Sequence, residues 1–384
     1  MFTQLNKKLT LTSSFKTAPN IGLIKYWGKW NEKEIIPLNT NIGVTLNPKD
    51  IFTTTTLTLN PESHKNELLI NGKDFAISNR IERLFNIFRE QIQQSKQLTC
   101  NRYKNSPSDK LLGQLIPDID KYGIRVESNN SFPTGSGLAS SSSGLSALAL
   151  CLQDILKTNI DVRYLSRIGS GSACRCLYGN FVLFPGVQLN NLDKCDQETI
   201  NLESKRCLPY EIQNSRWLKD KVSIVILTDT HQGQKDVLSK DGMKMTWETS
   251  KLIQGRVRQF VEQHIQELQT ALENQDFNKV MEIIIKDSNQ FHATCMDTYP
   301  PLLYLNDFSR QIIQMVHIYN RNAKNIVGYT FDAGAHAVLL IHNDELLSFK
   351  NFLANAQNLF TKSKYIIPSQ QFWTSIGDGP INQN

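Results

Sequence analysis

The stretch Asn130-Ser-Phe-Pro-Thr-Gly-Ser-Gly-Leu-Ala-Ser-Ser-Ser-Ser-Gly144 is followed at once by the apolar run Leu145-Ser-Ala-Leu-Ala-Leu-Cys-Leu152. Gly135 and Gly137 lack a Cβ atom, so the backbone here can approach a ligand closely. Four consecutive serines then stand where the first turn of a helix is expected, and the free N–H groups of a helix N-terminus suit phosphate. The stretch predicts a phosphate-binding loop unlike a Walker A loop, because no Lys-Ser or Lys-Thr follows it. A Ser/Gly linker is the alternative, although linkers rarely precede an apolar, helix-like run.

The composition is typical of a soluble globular protein. With 384 residues the chain exceeds what one hydrophobic core usually holds, so we expect two domains. The net charge of +6 is spread along the chain, which favours small anionic ligands over nucleic acid. The seven cysteines form neither a disulfide framework nor paired CxxC motifs for zinc, so we expect reduced thiols. Because an apolar signal segment and a run of membrane-spanning length are both missing, we expect a cytoplasmic protein without a nucleic-acid or membrane partner.

Apolar periodicity divides the rest of the chain into strands and helices. The predicted elements are strands within 9–59 and over 120–127 and 222–227, helices over 81–92, 253–272, 276–296 and 304–320, and a strand–turn–strand unit over 326–341. The strand over 120–127 leads into the phosphate loop, which predicts a strand–loop–helix unit. The polar segment 187–220 is the best candidate for a domain boundary.

Lys25, Tyr26, Trp27 and Lys29 place two cations beside two amphipathic rings, with Gly28 between them. Such a group suits an anion site with one apolar wall. The alternative is a buried aromatic pair with lysines on the surface.

A second tight turn, Gly169-Ser-Gly-Ser172, is followed by Arg175 on what we expect to be a short helix. The planar fork of an arginine pairs with a carboxylate or phosphate through two hydrogen bonds. For an isolated arginine, a structural salt bridge is the alternative. Cys174 and Cys176 flank Arg175, and without further ligands in the sequence nearby they predict packing rather than a metal site.

Asp332 ends an apolar strand and precedes a glycine turn. A partly buried carboxylate beside cations can act as a base or stabilise positive charge. An aspartate that only forms the turn is the alternative. His292 lies in the helix predicted over 276–296, and we interpret it as an ordinary helix residue.

Taken together, two Ser/Gly turns, a Lys-Tyr-Trp-Gly-Lys cluster, one arginine and one strand-end aspartate fit ATP-dependent phosphoryl transfer to a small anionic molecule. The motifs, in six stretches, are Ile24-Lys-Tyr-Trp-Gly-Lys29, Phe132-Pro-Thr with Gly137-Leu-Ala-Ser-Ser141, Gly169-Ser-Gly-Ser-Ala-Cys-Arg175, Asp287-Ser-Asn-Gln-Phe-His-Ala-Thr-Cys295, Tyr329-Thr-Phe-Asp-Ala-Gly334 and Ser375-Ile-Gly-Asp-Gly-Pro380. In composition and order this set resembles the mevalonate diphosphate decarboxylase branch of the GHMP kinases, in its eukaryotic form.

The resemblance implies an α+β fold of two GHMP-kinase-like domains with the active site in the cleft between them. Residues 1–206 would form an S5-like N-terminal domain that carries the phosphate loop, and residues 207–384 a ferredoxin-like C-terminal domain. The implied reaction uses ATP and Mg2+ to phosphorylate the 3-hydroxyl of mevalonate 5-diphosphate. Phosphate and CO2 then leave, which gives isopentenyl diphosphate for isoprenoid and sterol biosynthesis. A homodimer is also implied.

The resemblance assigns roles position by position. Asp332 would be the catalytic carboxylate that orients or deprotonates the 3-hydroxyl, Arg175 would hold the substrate carboxylate, and Lys25 would pair with Asp332 or with the transferring phosphate. The implied substrate-binding residues are Tyr26, Trp27, Gly28, Lys29, Arg80, Ser170, Gly171, Ser172, Ala173, Cys174, Arg175, Ser239 and Met243. The implied ATP-binding residues are Pro133, Gly135, Ser136, Gly137, Leu138, Ala139, Ser140 and Ser141. Ser141 would contact the γ-phosphate, and no protein side chain is predicted to ligate a metal.

The chain departs from the family pattern at several points. Ala18-Pro-Asn-Ile21 is one residue shorter than usual, Thr134-Gly-Ser-Gly137 replaces Thr-Ala-Ala-Gly, Trp30 replaces an arginine, and Ala335-His336 replaces Pro-Asn after the catalytic aspartate. Without that proline we expect a looser turn, and His336 adds a titratable group. Two alternatives stay open. One is a kinase that phosphorylates a mevalonate-type hydroxyl without decarboxylation, and the other is a non-catalytic binding protein on the same scaffold.

Overall fold

The computed structural model describes residues 10–102, 119–132, 140–157, 159–229, 237–356 and 370–383. The strands are β1 (Leu11–Thr17), β2 (Asn20–Ile24), β3 (Lys29–Asn31), β4 (Ile36–Pro37), β5 (Asn41–Thr45), β6 (Thr53–Asn60), β7 (Glu67–Ile70), β8 (Lys73–Asp74), β9 (Gly123–Asn130), β10 (Phe181–Phe184), β11 (Tyr210–Glu211), β12 (Val222–Thr228), β13 (Gly328–Phe331), β14 (Ala337–His342), β15 (Gln370–Ser375) and β16 (Ile381–Asn382).

The helices are α1 (Asn79–Arg102), α2 (Ser140–Asp154), α3 (Val162–Gly169), α4 (Gln197–Arg206), α5 (Ser239–Thr249), α6 (Leu252–Gly255), α7 (Val261–Glu273), α8 (Phe277–Met296), α9 (Asp307–Asn320) and α10 (Leu346–Asn355). Shorter 3-10 turns are formed by Ile119–Lys121, Ala173–Leu177, Leu189–Asn191, Gln213–Leu218 and Asn343–Glu345. None of the described helices is both long and apolar enough to cross a membrane.

The N-terminal half is built on a six-stranded sheet with the strand order β16-β1-β6-β9-β7-β8. Buried and half-buried side chains alternate along β6, as the two-residue period of a strand requires. Leu57 and Leu59 therefore face the core, where they join Phe85 and Phe88 of α1 and Leu152 of α2. The strand and the helix of the predicted strand–loop–helix unit are confirmed as β9 and α2, whereas residues 133–139 between them lie outside the described residues.

A second sheet, with the order β11-β10-β5-β2, connects the two halves of the chain. β2 and β5 are buried along their whole lengths. Ile21 and Leu23 of β2 belong to the same hydrophobic cluster as Ile224 of β12, Leu268 of α7 and Ile284 of α8. One cluster of apolar side chains therefore spans both halves.

The C-terminal half is built on an antiparallel sheet with the order β13-β14-β12-β15. β12 is apolar without alternation because helices cover both of its faces. Ile224 and Ile226 join the cluster that contains α7 and α8, whereas Val225 and Leu227 join a cluster that contains side chains of α9 and α10. The predicted strand–turn–strand unit is confirmed as β13 and β14, and Asp332 directly follows β13.

The helix predicted over 253–272 is interrupted. α6 passes into a π-helical turn, Arg256–Phe260, before α7 begins. A π turn holds more residues than an α turn, and Phe260, which regular spacing places on the apolar face, is therefore rotated outward and is exposed. The helix predicted over 304–320 begins later than expected, at Asp307, because the Asn306 side chain caps it by accepting a hydrogen bond from the backbone N–H of Ser309.

The division at residues 206 and 207 stays a prediction. β11 follows that position but pairs with β10, so the sheet of the N-terminal half continues beyond it. At the other end of the chain, β16 pairs with β1, with Phe15 opposite Asn382. Both pairings tie later segments of the chain to the N-terminal half.

Candidate active site

Lys25 and Asp332 meet where strands from the two halves end. Lys25 follows β2 and Asp332 follows β13, and Lys25 Nζ lies 2.7 Å from Asp332 Oδ1. Nζ also donates a 2.7 Å hydrogen bond to the carbonyl oxygen of Gly22. The Lys25 side chain is only 3% exposed, whereas that of Asp332 is 45% exposed. A buried ammonium group therefore holds a carboxylate that is open to a ligand.

Burial is the largest influence on the pKa of Lys25 in this pair. It lowers the pKa of Lys25 below the ordinary 10.5, and the Asp332 charge and hydrogen bond oppose that effect. Arg175 lies close enough to lower the pKa of Lys25 slightly further. Lys25 and Arg175 thus lie near the open Asp332 carboxylate, while the second nearby carboxylate, Asp287, is buried and paired with Arg256, and this arrangement suits a substrate that carries negative charge.

Arg175 lies in the 3-10 turn Ala173–Leu177 and is held by two asparagines. Its Nε donates to Asn20 Oδ1 at 2.7 Å, and its Nη1 donates to Asn41 Oδ1. Among the described residues, no carboxylate lies within salt-bridge distance of Arg175, so the alternative of a structural salt bridge is not observed there. Neutral partners orient the guanidinium group without neutralising its charge, and an anionic group can still bind it.

Gly43 makes room for this arrangement. A Cβ atom at Gly43 would lie 1.9 Å from Asn20 Oδ1 and 2.8 Å from Arg175 Nε. Any side chain at Gly43 therefore displaces the Arg175–Asn20 contact. Asn20, Asn41 and Gly43 are missing from the residues predicted from sequence, because each is an ordinary residue within a strand and only the strand pairing brings it to Arg175.

A side chain of helix α8 holds the backbone of Lys25 in place. Asp287, which is fully buried, accepts the backbone N–H of Lys25 at 2.8 Å and pairs with Arg256 at 2.9 Å. It also accepts a 3.1 Å hydrogen bond from Nδ1 of His264. Burial acts to raise the pKa of Asp287, but the charge of Arg256 and the hydrogen bond from His264 outweigh it and hold that pKa below its usual value. The motif Asp287–Cys295 was part of the sequence resemblance, although no role was predicted for Asp287.

Tyr26 and Trp27 are neighbours in sequence but lie in different surroundings. Tyr26 stacks on Phe184 with 6.2 Å between ring centroids, and burial raises the pKa of its hydroxyl. That hydroxyl is buried without a hydrogen-bond partner among the described residues, and a Cβ atom at Gly171 would lie 2.5 Å from it. Gly171 thus allows the close approach of Tyr26 to the segment that leads into the Arg175 turn.

Trp27 packs in the interior. Its side chain is 2% exposed, contacts the rings of Phe291 and Tyr304 edge-on, and donates from Nε1 to Thr246 Oγ1 at 3.0 Å. Met243 packs against the same cluster from α5. The predicted substrate contacts of Trp27 and Met243 stay predictions, and both residues belong to the hydrophobic cluster against which Tyr26 also packs.

Gly28 and Lys29 complete the first cluster. Gly28 has a φ of +101°, which only glycine adopts readily, and a Cβ atom there would meet Leu38 at 2.3 Å. Lys29 Nζ pairs with Glu32 at 2.5 Å, and its side chain is 10% exposed. Both lysines of the cluster are therefore largely buried, unlike the surface lysines of the alternative interpretation.

Serine side chains connect the phosphate loop to the Arg175 turn. The hydroxyl of Ser172 contacts that of Ser142 at the start of α2 and lies 3.3 Å from that of Ser170. Ser143 is fixed by a 2.6 Å contact with Thr53. Ser142 and Ser143 were not predicted as site residues. Ser141 is exposed in the first turn of α2, whereas residues 133–139 and the side chain of Ser140 lie outside the described residues.

The remaining predicted residues lie at three different places in the fold. Arg80 is exposed at the start of α1 and close enough to Tyr26 to favour its ionised form, and it pairs with no carboxylate among the described residues. Ser239 begins α5 and is half-buried. Ala173 and Cys174 are fully buried beside Arg175, and Cys174 Sγ donates to the carbonyl oxygen of Gly171 at 3.2 Å.

The thiols of Cys174 and Cys176 fit packing. Burial raises the pKa of each to about 12, so both are protonated at neutral pH. Within the described parts of the chain, no three His, Cys, Asp or Glu side chains are grouped closely enough to hold a metal ion.

The turn after Asp332 is held by hydrogen bonds. The backbone N–H of Gly334 donates to the Asp332 carbonyl oxygen at 2.7 Å, and Ser309 donates to that of Ala335 at 3.0 Å. His336 accepts the backbone N–H of Asp229 at its Nδ1, at 3.1 Å. These contacts restrain the turn that the sequence led us to expect to be looser. At Trp30, which stands where the family pattern has an arginine, the indole Nε1 donates to the carbonyl oxygen of Leu192 at 2.8 Å.

Comparisons with known proteins cover nearly the whole chain. The model of the diphosphomevalonate decarboxylase-like N-terminal domain matches residues 17–190, and that of the mevalonate 5-diphosphate decarboxylase C-terminal domain matches residues 223–380. The diphosphomevalonate decarboxylase of Rattus norvegicus is 36% identical over 336 residues, which are 87% of this chain and 77% of that protein.

Solved structures agree in fold. A complex described as MDDEF with MVAPP, AMPPCP and magnesium has a TM-score of 0.76 at 28% identity and covers 97% of this chain and 99% of that one. A mevalonate diphosphate decarboxylase from Enterococcus faecalis, described for its mevalonate diphosphate mediated ATP binding, has a TM-score of 0.75 at 27% identity, with coverage of 97% and 99%. The predicted GHMP-kinase-like α+β fold is confirmed. With both family models matched in order, the chain belongs to the mevalonate 5-diphosphate decarboxylase family.

Proposed function

We propose that this chain catalyses the ATP-dependent decarboxylation of mevalonate 5-diphosphate to isopentenyl diphosphate, with ADP, phosphate and CO2 as the other products. The relatives are named for this activity. The observation that carries the proposal is the grouping of an open carboxylate, Asp332, with the buried cations Lys25 and Arg175. A kinase site needs a carboxylate such as Asp332 to accept the proton of the substrate hydroxyl. A decarboxylase also needs a cation to hold the substrate carboxylate that departs as CO2.

The first step is phosphoryl transfer. A tertiary hydroxyl is a poor leaving group until it is phosphorylated. The oxygen on C3 forms a bond to the γ-phosphorus of ATP while the bond from that phosphorus to the ADP oxygen breaks, and the hydroxyl proton passes to Asp332. Lys25, 2.7 Å from Asp332, fixes the carboxylate in its ionised, proton-accepting form.

The second step releases two groups. Phosphate leaves C3 with the electron pair of the C–O bond, so positive charge builds at C3. The bond to the substrate carboxylate then breaks, its electrons form the new C=C bond, and CO2 departs. Arg175 holds that carboxylate in place until this step, because its guanidinium group is oriented by Asn20 and Asn41 without being neutralised. Asp332, which is 45% exposed, releases the hydroxyl proton to solvent, and its carboxylate then stabilises the charge at C3.

ATP binds at the serine-rich loop and the N-terminus of α2. The N-terminus of a helix suits phosphate, and the exposed Ser141 stands in the first turn of α2 for the γ-phosphate. The co-substrate is MgATP. The Mg2+ would offset negative charge on the phosphate oxygens during transfer.

The substrate occupies the space beside Asp332 and the Arg175 turn, next to which Tyr26 packs. Ser170 and Ser172 line this space from the Arg175 side. Lys29 and Arg80 supply positive charge for the diphosphate, and Ser239 approaches from α5. The enzyme works in the cytoplasm as a homodimer. The free state of all six described cysteines supports a reducing compartment.

The test is to incubate the purified chain with MgATP and mevalonate 5-diphosphate and to follow ADP and CO2 together. The proposal predicts one CO2 for each ADP and isopentenyl diphosphate as the organic product. ADP without CO2 identifies a kinase that does not decarboxylate. Neither product, with both ligands bound in calorimetry, identifies a binding protein.

A further inference from the structure

The backbone of Phe331, the residue before Asp332, is held by side chains from α8. β13 is an edge strand among the described strands, paired only with β14. The backbone N–H of Phe331 donates to Ser288 Oγ at 3.1 Å, and its carbonyl oxygen accepts a 3.2 Å hydrogen bond from His292 Nε2. Two polar groups that an edge strand leaves unpaired are thus satisfied by one helix.

Ser288 and His292 are four positions apart, so they lie on the same face of α8. Asp287, adjacent to Ser288, holds the backbone N–H of Lys25 at 2.8 Å. One helix therefore fixes the strand end that carries Lys25 and the strand end that carries Asp332. A shift of either end changes the 2.7 Å separation between Lys25 Nζ and Asp332 Oδ1.

We infer that Ser288 and His292 are positioning residues, a clamp that fixes the Phe331–Asp332 peptide so that the carboxylate meets Lys25. His292 touches neither reacting group in this account and acts through the carbonyl oxygen of Phe331. This goes beyond the interpretation of His292 as an ordinary helix residue. The effects on kcat that we expect from this clamp rest on the proposed function. The expected change in the distance between Lys25 and Asp332 does not.

The chemistry of His292 suits a fixed donor. A carbonyl oxygen only accepts, so Nε2 carries the proton. Burial and the nearby charge of Lys25 lower the pKa of His292 to about 3, with Asp332 acting in the opposite direction and Arg256 in the same one. The imidazole is therefore neutral at working pH, and it donates a hydrogen bond without adding charge beside the Lys25–Asp332 pair.

The kinetic test compares His292→Leu, which removes the donor, with His292→Gln, whose amide nitrogen can still donate. For His292→Leu we expect kcat to fall about 10- to 100-fold with KM for both substrates nearly unchanged, as for a small misplacement of a reacting group. His292→Gln should recover most of that loss. Thr294→Val is the matched control: Thr294 is buried on the same helix, and among the described residues its hydroxyl bonds only to the Gln290 carbonyl oxygen of that helix, so kcat should stay near wild type.

Two further readouts separate positioning from other roles. The acid limb of the kcat profile should be the same in wild type and His292→Gln, because His292 does not titrate in the working range; a shifted limb would make His292 a titrating participant and overturn the proposal. Equal losses in His292→Gln and His292→Leu, or in Thr294→Val, also overturn it.

The last experiment measures the distance between Lys25 and Asp332 and does not depend on which reaction the protein catalyses. In a crystal structure of His292→Leu we expect Lys25 Nζ and Asp332 Oδ1 to separate beyond about 3.5 Å, outside hydrogen-bond distance. If the pair stays in contact, the clamp is refuted whatever the substrate is. If wild type fails to release CO2 but the pair separates in the variant, the proposed function fails and the clamp stands.

Discussion

Lys25 Nζ lies 2.7 Å from Asp332 Oδ1, although 307 positions of sequence separate the two residues. One follows a strand of the N-terminal half and the other follows a strand of the C-terminal half. The pair forms only when the two halves pack together, and the shared cluster around Ile21 and Ile224 supplies that packing. The catalytic pair is thus assembled only when the two halves have packed against each other.

The buried position of Lys25 predicts an unusual alkaline limb. Burial lowers the pKa of Lys25 from 10.5, so the side chain loses its charge at a lower pH than an exposed lysine does. We therefore expect kcat to fall on the alkaline side at a pH below 10.5. The measurement is kcat for CO2 release as a function of pH.

Lys25→Arg is the companion variant, because an arginine stays protonated throughout this range. Its activity should be lower, since the guanidinium group does not fit the ammonium site, but the alkaline limb should disappear. A limb at the same pH in Lys25→Arg would assign the titration to another group.

The substitution Gly43→Ala should displace the guanidinium group of Arg175 while leaving the Arg175 residue itself unchanged. The added Cβ would lie 1.9 Å from Asn20 Oδ1, so the Asn20–Arg175 contact must give way. We expect kcat/KM to fall about 100-fold through misplacement of the guanidinium group. The check is a double-mutant cycle with Arg175→Gln: the double variant should be no worse than Arg175→Gln alone. Additive losses would mean that Gly43 acts elsewhere.

Asp287→Asn should destabilise the whole protein. It leaves Arg256 buried and without its counter-charge, and breaking a buried pair in this way costs about 3 to 5 kcal/mol. The measurement is urea denaturation at neutral pH. Glu248→Gln is the control, because the exposed Lys244–Glu248 pair should contribute less than about 1 kcal/mol. A loss no larger than that of the control would show that Arg256 is not anchored by Asp287.

The contribution of Asp287 to the stability of the protein should also depend on pH in the acid range. The pKa of Asp287 is lower in the folded than in the unfolded state, so its stabilisation is present above 3.8 and is lost as the pH falls through the folded-state pKa. Asp287→Asn should therefore be less sensitive to acid than wild type in the range below 3.8. Parallel denaturation curves of the two proteins across that range would contradict this.

Local patterns were sufficient to place Asp332 at a strand end and Arg175 on a short helix, because both depend on nearby residues. They were insufficient for Asn20, Asn41 and Gly43, which reach Arg175 only through the pairing of β2 with β5. Tyr26 and Trp27 form one motif in the sequence, yet one stacks on Phe184 and the other enters the interior, since neighbouring side chains in extended chain point in different directions.

His292 shows the limit of periodicity most clearly. Its spacing within α8 is that of any buried helix residue, and its partner is a backbone carbonyl group 39 positions away. No side-chain pattern marks such a contact. The π turn at Arg256 is equally hidden, because the apolar spacing around it still fits an ordinary helix.

In the proposed reaction, the Asp332 carboxylate, held by Lys25, starts catalysis by accepting the proton of the substrate hydroxyl. Asp332→Asn tests it most directly, by CO2 release from mevalonate 5-diphosphate and MgATP at saturating concentrations, with Asp344→Asn as an exposed control of the same type. We expect kcat of Asp332→Asn to fall at least about 1,000-fold, within the range that general base catalysis supplies, while Asp344→Asn keeps the wild-type rate. CO2 release by Asp332→Asn at the wild-type rate would contradict the account.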